Sequence, residues 1–143
     1  MARYLTSVTS PWTPEEAFDY VADFRNLIEW DPSVTASTIT SGDKPGVGTV
    51  YAVTASGATL DYVTQVYERP NRFVVEGASK QFYSYDVIEF ASTDSGCLVS
   101  YDATLKLRGV LSAFTPGLGL FFDRIGDKAA GGLAKALEGT ITS

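Results

Sequence analysis

The residues best suited to chemistry in this chain are carboxylates and phenols that fall in strand-like segments. The carboxylates are Asp61, Glu76, Asp86, Glu89 and Asp102, and the strand tyrosines are Tyr51, Tyr62, Tyr67, Tyr83, Tyr85 and Tyr101. An acid and a phenol that share an apolar cavity can position a ligand oxygen or move a proton. Most of these acids occupy strand positions that we assign to solvent, where a charge is normally hydrated. Acid–base catalysis is therefore our second hypothesis for this chain.

Other familiar catalytic groups are scarce. The 143 residues include no histidine and one cysteine, Cys97. This composition excludes imidazole catalysis, an intramolecular disulfide and the usual zinc sites. No basic side chain near Cys97 in sequence would stabilise its thiolate, so we expect it to be an inert core residue. We predict neither a metal nor a cofactor.

Composition also restricts the partners and the location. Eleven basic residues against seventeen acidic ones give a net charge of −6, which disfavours nucleic acid as a partner. Residues 1–6 lack the apolar run of a secretory signal, and the longest apolar stretch, residues 109–122, is too short to span a bilayer. We therefore expect a cytoplasmic protein without a transmembrane segment. Its length fits one domain over residues 1–143, and its oligomeric state is left open.

The first third of the chain predicts a strand followed by two short helices. Alternation over residues 2–9 indicates the strand. Thr13, followed by a proline and then by Glu16, forms the capping-box pattern that begins a helix. Asp31 precedes a proline and ends the second short helix, because the residue before proline is pushed toward extended geometry.

From Val34 onward the apolar period becomes two, and turn residues recur at short intervals, which predicts an antiparallel meander of about six strands. The last strand is the clearest, and its apolar face comprises Cys97, Val99, Tyr101, Ala103, Leu105 and Leu107. The register of residues 82–90 is ambiguous. Phe82, Ile88 and Phe90 share one parity while Tyr83, Tyr85 and Val87 share the other, so a bulge there would reconcile them.

After Gly109 the pattern becomes helical for about twenty residues, with an apolar stripe that includes Leu118, Phe121, Phe122, Ile125 and Leu133. Gly126, Gly131 and Gly132 interrupt this helix and indicate close approach to the sheet or local looseness. The predicted fold is α+β: a curved antiparallel sheet of six to seven strands wrapped around a long C-terminal helix. One helix cannot fill the concave side of such a sheet, so an apolar cavity should remain as a small-molecule site.

Several segments carry a family resemblance that extends over essentially the whole chain. Residues 8–11 and 15–32, the run Glu68–Phe73, the strand after Gly96 and the terminal helix resemble the START-like, polyketide cyclase/dehydrase superfamily. The resemblance implies a helix-grip fold with an internal hydrophobic cavity. The resemblance predicts the fold specifically but does not identify the function, because such folds host lipid carriers, hormone and allergen-type binders, and aromatic cyclases.

Three functions are therefore weighed for this chain. The first is binding or carrying a lipid, polyketide or similar apolar molecule, with these ligand-binding residues: Tyr62, Phe73, Tyr85, Val99, Tyr101, Leu118, Phe121, Phe122 and Ile125. The second is a cyclase/dehydratase-type enzyme, which would show an inward acid with a raised pKa beside a tyrosine. A carrier would instead show a spacious cavity with no desolvated carboxylate. The third is a protein- or membrane-interaction module acting through residues 110–122, with a filled core and exposed phenylalanines.

Overall fold

Eight strands form one antiparallel sheet in the computed structural model, which describes residues 1–142. They are β1 (Ala2–Ser10), β2 (Val34–Ser41), β3 (Val50–Ala55), β4 (Ala58–Glu68), β5 (Arg72–Ala78), β6 (Phe82–Thr93), β7 (Gly96–Leu107) and the short β8 (Thr140–Ile141). The sheet order is β2-β3-β4-β5-β6-β7-β1-β8. Strands β2 to β7 are consecutive neighbours because their connections are too short for crossover helices. This arrangement confirms the predicted helix-grip fold.

Three α-helices accompany the sheet: α1 (Pro14–Val21), α2 (Leu27–Trp30) and α3 (Leu118–Ala136). A 3₁₀ turn, Phe24–Asn26, joins the first two, and a 3₁₀ segment, Gly109–Gly117, precedes the third. The predicted capping box is present, since the Glu16 amide donates to Thr13 Oγ1 at 3.1 Å and the Thr13 amide donates to Glu16 Oε1 at 3.0 Å. Two orphan amides are satisfied, which defines where α1 begins.

The long helix α3 packs against β1 and α2 across the concave face of the sheet. Its C-terminal end is fixed, because the Ser10 hydroxyl donates to the Leu137 carbonyl at 2.7 Å and Leu133 and Leu137 are buried. Its N-terminal end is more open: Leu118 is buried, but Phe121 is 51% exposed. Within residues 1–142, no helix is both long enough and apolar enough to cross a membrane.

The buried apolar side chains form two clusters at opposite ends of α3. The larger cluster joins α1, α2 and the C-terminal end of α3 to the sheet, and it contains Cys97, which is buried as expected. The smaller cluster consists of Ala2, Leu107 and Leu118, with partly buried neighbours such as Phe122 around it. The stretch of sheet between the two clusters is therefore covered less completely by the helix.

Strand β6 pairs with β5 and β7 without any register shift. Ser84, Asp86 and Ile88 consequently point inward and are buried, whereas Tyr85 and Glu89 point outward and are exposed. The bulge that the sequence suggested for residues 82–90 is absent, because two neighbouring strands hold β6 in one continuous ladder. This register decides the chemistry of the interior, because it turns a carboxylate inward.

Candidate functional site

A cavity of about 210 Å³ lies between the sheet and α3, in the gap between the two apolar clusters. Its residues are mostly aromatic or aliphatic, with a few hydroxyls and two acids, and none is basic. They are Tyr4, Thr6, Trp30, Asp31, Ser33, Ala55, Ser56, Ala58, Leu60, Tyr62, Phe82, Ser84, Asp86, Tyr101, Ala103, Leu105, Phe121, Phe122, Ile125, Gly126, Ala129, Ala130 and Leu133. Such a lining suits a small, mainly apolar molecule with few polar atoms.

Asp86 and Tyr101 form the polar centre of this cavity. The Tyr101 hydroxyl donates to one carboxylate oxygen of Asp86 at 2.8 Å, and the Ser84 hydroxyl donates to the other at 3.2 Å. Sheet register produces this contact: Asp86 lies opposite Ala103, two residues from Tyr101 on the same face of β7. Diagonal neighbours on one face are within reach of a long side chain such as tyrosine.

Tyr62 joins this group from β4, although β5 lies between β4 and β6. Tyr62, Gly77 and Ser84 face one another in register across the three strands. A Cβ atom at Gly77 would lie 2.6 Å from Cε1 of Tyr62, so only glycine leaves room for the ring to cross β5. The Tyr62 ring thereby reaches the side of the cavity where Ser84 lies, and burial raises the pKa of its phenol. We call Tyr62, Ser84, Asp86 and Tyr101 the polar wall.

Burial dominates the electrostatics of the polar wall. Desolvation raises the pKa of Asp86 to about 7, against the opposing effect of its hydrogen bonds from Tyr101 and Ser84. Burial also raises the pKa of Tyr101 well above its ordinary value, and the nearby Asp86 charge adds to this. Near neutral pH, Asp86 therefore exchanges between a carboxylic acid and a carboxylate, while Tyr101 stays a neutral donor.

A second acid, Asp31, lines the same cavity at the end of α2. Its Oδ1 accepts from the Ser33 amide at 2.9 Å and from the Ser33 hydroxyl at 2.8 Å. Burial raises the pKa of Asp31 despite these two bonds, and its charge contributes to the raised pKa of Asp86. Two acids that face one apolar space disfavour each other's ionisation.

Trp30 and α3 complete the enclosure around the polar wall. The Trp30 ring packs edge-on against Tyr101, with ring centroids 6.0 Å apart and an interplanar angle of 72°. The other tryptophan, Trp12, lies outside the cavity, and its indole NH donates to Glu138 at 3.0 Å. The wall of the cavity that α3 contributes is apolar and is formed by Phe122, Ala129 and their neighbours.

A second space adjoins the cavity beside the exposed start of α3, and we call it the mouth. It is lined by Pro32, Ser33, Ser56, Phe121, Arg124, Ile125 and Lys128. Ser33, Ser56, Phe121 and Ile125 also line the cavity, so the two spaces adjoin. The mouth differs from the interior because its charged side chains are basic.

Five of the nine predicted ligand-binding residues line this cavity: Tyr62, Tyr101, Phe121, Phe122 and Ile125. Three others are buried elsewhere: Phe73 and Val99 in the larger apolar cluster, and Leu118 in the smaller one. Tyr85 is 37% exposed on the outer face of β6, because the uninterrupted register gives it the parity opposite to Asp86. Ligand contact at the five lining residues stays a prediction.

Sequence reasoning missed Ser84 and Asp31 and did not assign Asp86 an inward position. The pattern of β6 is only a partial signal: Ser84 and Asp86 share their parity with Phe82, Ile88 and Phe90, but the other parity also carries large side chains. Asp31 carries no such signal, since its role depends on α2 packing against the open edge of the cavity. The position of Asp31 is decided by how α2 packs against strands and a helix that are far from it in sequence.

The family comparison agrees with this geometry. Residues 1–138 match the model of the family described as polyketide cyclase/dehydrase and lipid transport. The chain belongs to this family. Membership supports a hydrophobic ligand-binding fold and identifies no particular ligand. No curated protein sequence matches the chain.

Solved structures show the same helix-grip fold. The protein XoxI from Bacillus cereus is 19% identical, with a TM-score of 0.70 and 96% of each chain covered. A START superfamily protein from Mycobacterium smegmatis is 15% identical, with a TM-score of 0.70 and 96% coverage of each chain. A hypothetical protein from Helicobacter pylori reaches a TM-score of 0.75 at 10% identity, over 94% of this chain and 87% of its own. At these identities the likeness establishes the fold alone.

Proposed function

We propose that this protein binds a small, mainly apolar molecule in its internal cavity and anchors one polar group of that molecule at the polar wall. The observation that carries the proposal is the arrangement of Asp86, Tyr101 and Ser84 on one side of an otherwise apolar space. The Asp86 carboxylate can accept from a ligand hydroxyl, and the Tyr101 hydroxyl can donate to a ligand oxygen when Asp86 is protonated and donates to Tyr101 instead. Apolar contacts supply most of the affinity and the polar wall sets the orientation.

The anchor is tested with two compounds of similar shape, 3-phenyl-1-propanol and n-propylbenzene. In a dry site a neutral hydrogen bond contributes about 0.5–1.5 kcal/mol, so Tyr101→Phe should weaken the alcohol by roughly 3- to 10-fold. The hydrocarbon should bind equally to both proteins. Trp30 lines the cavity, so its fluorescence reports binding in a Trp12→Phe background. Equal effects on both compounds would make Tyr101 a packing residue, and no binding of either would contradict the proposal.

A second candidate function, proton transfer, is favoured by Asp86. An inward acid with a raised pKa beside a tyrosine was our sequence-based criterion for an enzyme, and Asp86 next to Tyr101 meets it. The criterion for a simple carrier, a cavity without a desolvated carboxylate, is not met. A carboxylate whose conjugate acid has a pKa of about 7 is suited to take a proton from a carbon next to a carbonyl at neutral pH.

In that step the C–H bond breaks, the proton goes to the Asp86 carboxylate, and the electron pair forms an enolate whose oxygen accepts from Tyr101. The test follows deuterium incorporation next to the carbonyl of 4-phenyl-2-butanone by NMR in heavy water. Asp86→Asn should abolish any acceleration, because an amide cannot accept the proton. Equal rates for the wild type, the variant and buffer would leave ligand binding as the function.

The third hypothesis, an interaction module, is weaker on the same evidence. Val110 and Phe114 are strongly exposed in the 3₁₀ segment before α3, as that hypothesis expects. The interior, however, contains a cavity rather than a filled core. Nothing in the structure of residues 1–142 indicates what would cover these exposed side chains.

A further inference from the structure

The mouth of the cavity carries two basic side chains, Arg124 and Lys128. They are four residues apart on α3, so they lie on the same face of the helix, one turn from each other. The two seryl residues, Ser33 and Ser56, lie across the opening. Two cations and two serines therefore surround the opening of an apolar space, and one of the two hydroxyls, that of Ser33, donates to Asp31.

Neither cation forms an ion pair in the described part of the chain, although Asp123 and Asp127 flank them along α3. The ion pairs among residues 1–142 use Arg3, Arg25 and Arg69 instead. Asp127, on the neighbouring face of α3, is hydrogen-bonded to β1 instead: it accepts from the Tyr4 hydroxyl at 2.7 Å. In a chain with net charge −6, two unpaired cations at one opening form a local site for an anion.

The interior has the opposite charge character. The titratable acids that line the cavity are Asp31 and Asp86, and no lysine or arginine lines it. An anionic group placed deep in the cavity would meet Asp86 without a compensating cation, whereas Asp31 lies nearer the opening, where it accepts hydrogen bonds from the mouth residue Ser33. At the mouth the same group would meet Arg124 and Lys128 and would keep part of its hydration.

We infer that the ligand is an apolar molecule with an anionic group, such as a carboxylate, at its outer end. The carboxylate lies between Arg124 and Lys128 at the mouth, and the apolar body occupies the cavity with its inner end toward the polar wall. This inference rests on the proposed binding function and adds both the chemical class of the ligand and its orientation.

The experiment compares 3-phenylpropanoate with 3-phenyl-1-propanol and 3-phenylpropylamine, which share one apolar body. Binding is measured by calorimetry at low salt and pH 6, where the carboxylate probe is ionised and Asp86, with a pKa about 7, is mainly neutral. We expect the carboxylate to bind about fivefold more tightly than the alcohol, the effect of two solvent-exposed charge contacts. This advantage should shrink as salt is added, because exposed charges are screened.

Substitutions at the mouth separate the charge contacts from the cavity. R124Q/K128Q should remove the advantage of the carboxylate while leaving the affinity for the alcohol within about twofold. K44Q/K106Q removes two exposed charges elsewhere and is the matched control, which should keep the advantage. Thermal melting of each variant verifies that it is folded.

The outcomes distinguish the inference from the binding function itself. If the alcohol binds as tightly as the carboxylate, or if R124Q/K128Q changes neither affinity, the anionic class is wrong while the cavity still binds ligands. Tightest binding of 3-phenylpropylamine would also overturn the inference and would assign the selectivity to Asp31 and Asp86. Binding of none of the three compounds would contradict the proposed function.

Discussion

At the scale of single residues, Asp86 shows how burial changes the properties of an ordinary side chain. Its carboxylate is held by hydrogen bonds from Tyr101 and Ser84, both of which favour the ionised form. Desolvation outweighs them, and the pKa rises to about 7. Ionising the group that could anchor or deprotonate a ligand therefore costs the folded protein free energy.

This cost predicts a pH-dependent stability. The folded-state pKa of Asp86 lies about three units above its unfolded value, so the folded protein binds the extra proton between about pH 4 and pH 7. Stability from this group is greatest below pH 4, falls as the pH rises to 7 and is constant above. Three units correspond to about 4 kcal/mol. The unfolding free energy of each protein is measured by urea denaturation at pH 4 and at pH 8. Between these two pH values it should fall by about 4 kcal/mol more for the wild type than for Asp86→Asn.

The control for this measurement is Asp61→Asn, which removes an exposed carboxylate from β4. Its stability should parallel the wild type over the whole pH range, because an exposed acid loses little hydration on folding. Parallel curves for the wild type and Asp86→Asn would show that Asp86 is not desolvated in solution.

At the scale of elements, α3 approaches its neighbours closely at one of two adjacent glycines. A Cβ atom at Gly132 would collide with the carbonyl group of Trp30 in α2, whereas a Cβ atom at Gly131 would meet open space. The helix therefore contacts α2 through backbone at Gly132. This contact holds the cavity residue Trp30 in place, and it explains one glycine in a helix where alanine is intrinsically preferred.

The two glycines predict opposite effects of the same substitution. Gly131→Ala should stabilise the protein by about 0.5–1 kcal/mol, because alanine favours the helix and nothing obstructs its methyl group. Gly132→Ala should destabilise it by about 2 kcal/mol or more, since backbone atoms must move apart to admit the methyl group. Chemical denaturation of both variants measures the difference. Equal stabilities would mean that α2 and α3 are not packed backbone to backbone.

At the scale of the whole molecule, the cavity follows from how the sheet is covered. The eight-stranded sheet has one long helix on its concave face, and the apolar clusters occupy the two ends of that helix. The space between them holds the cavity, whose wall on the helix side includes small residues such as Ala129. Small side chains at that position leave volume that larger ones would fill.

Filling this volume should abolish binding while leaving the fold intact. We expect Ala129→Phe to weaken binding of 3-phenyl-1-propanol by more than tenfold, because its ring occupies the space of the ligand. The melting temperature should change by only a few degrees, since the added atoms enter empty space. Leu120→Phe, on the exposed side of the same helix, is the control and should bind normally. Unchanged binding by Ala129→Phe would place the ligand outside the cavity.

The sequence by itself determined the fold class, the capping box of α1, the inward face of β7 with Tyr101, and the buried position of Cys97. Those features depend on local periodicity or on local hydrogen bonds, which a short window contains. The long apolar stripe of α3 similarly predicted its packing against the sheet. The opening beside Phe121 was harder to predict from the sequence, because it depends on how far the sheet extends beneath the helix.

Only the tertiary structure decided that Asp86 faces inward and that Asp31 shares its cavity. In residues 82–90 both parities carry large side chains, so alternation alone does not choose a face. Pairing with β5 and β7 makes the choice for the whole strand, because a one-residue slip would reverse every side chain. The pKa of Asp86 follows from that choice, since desolvation depends on segments brought together by folding rather than on neighbours in sequence.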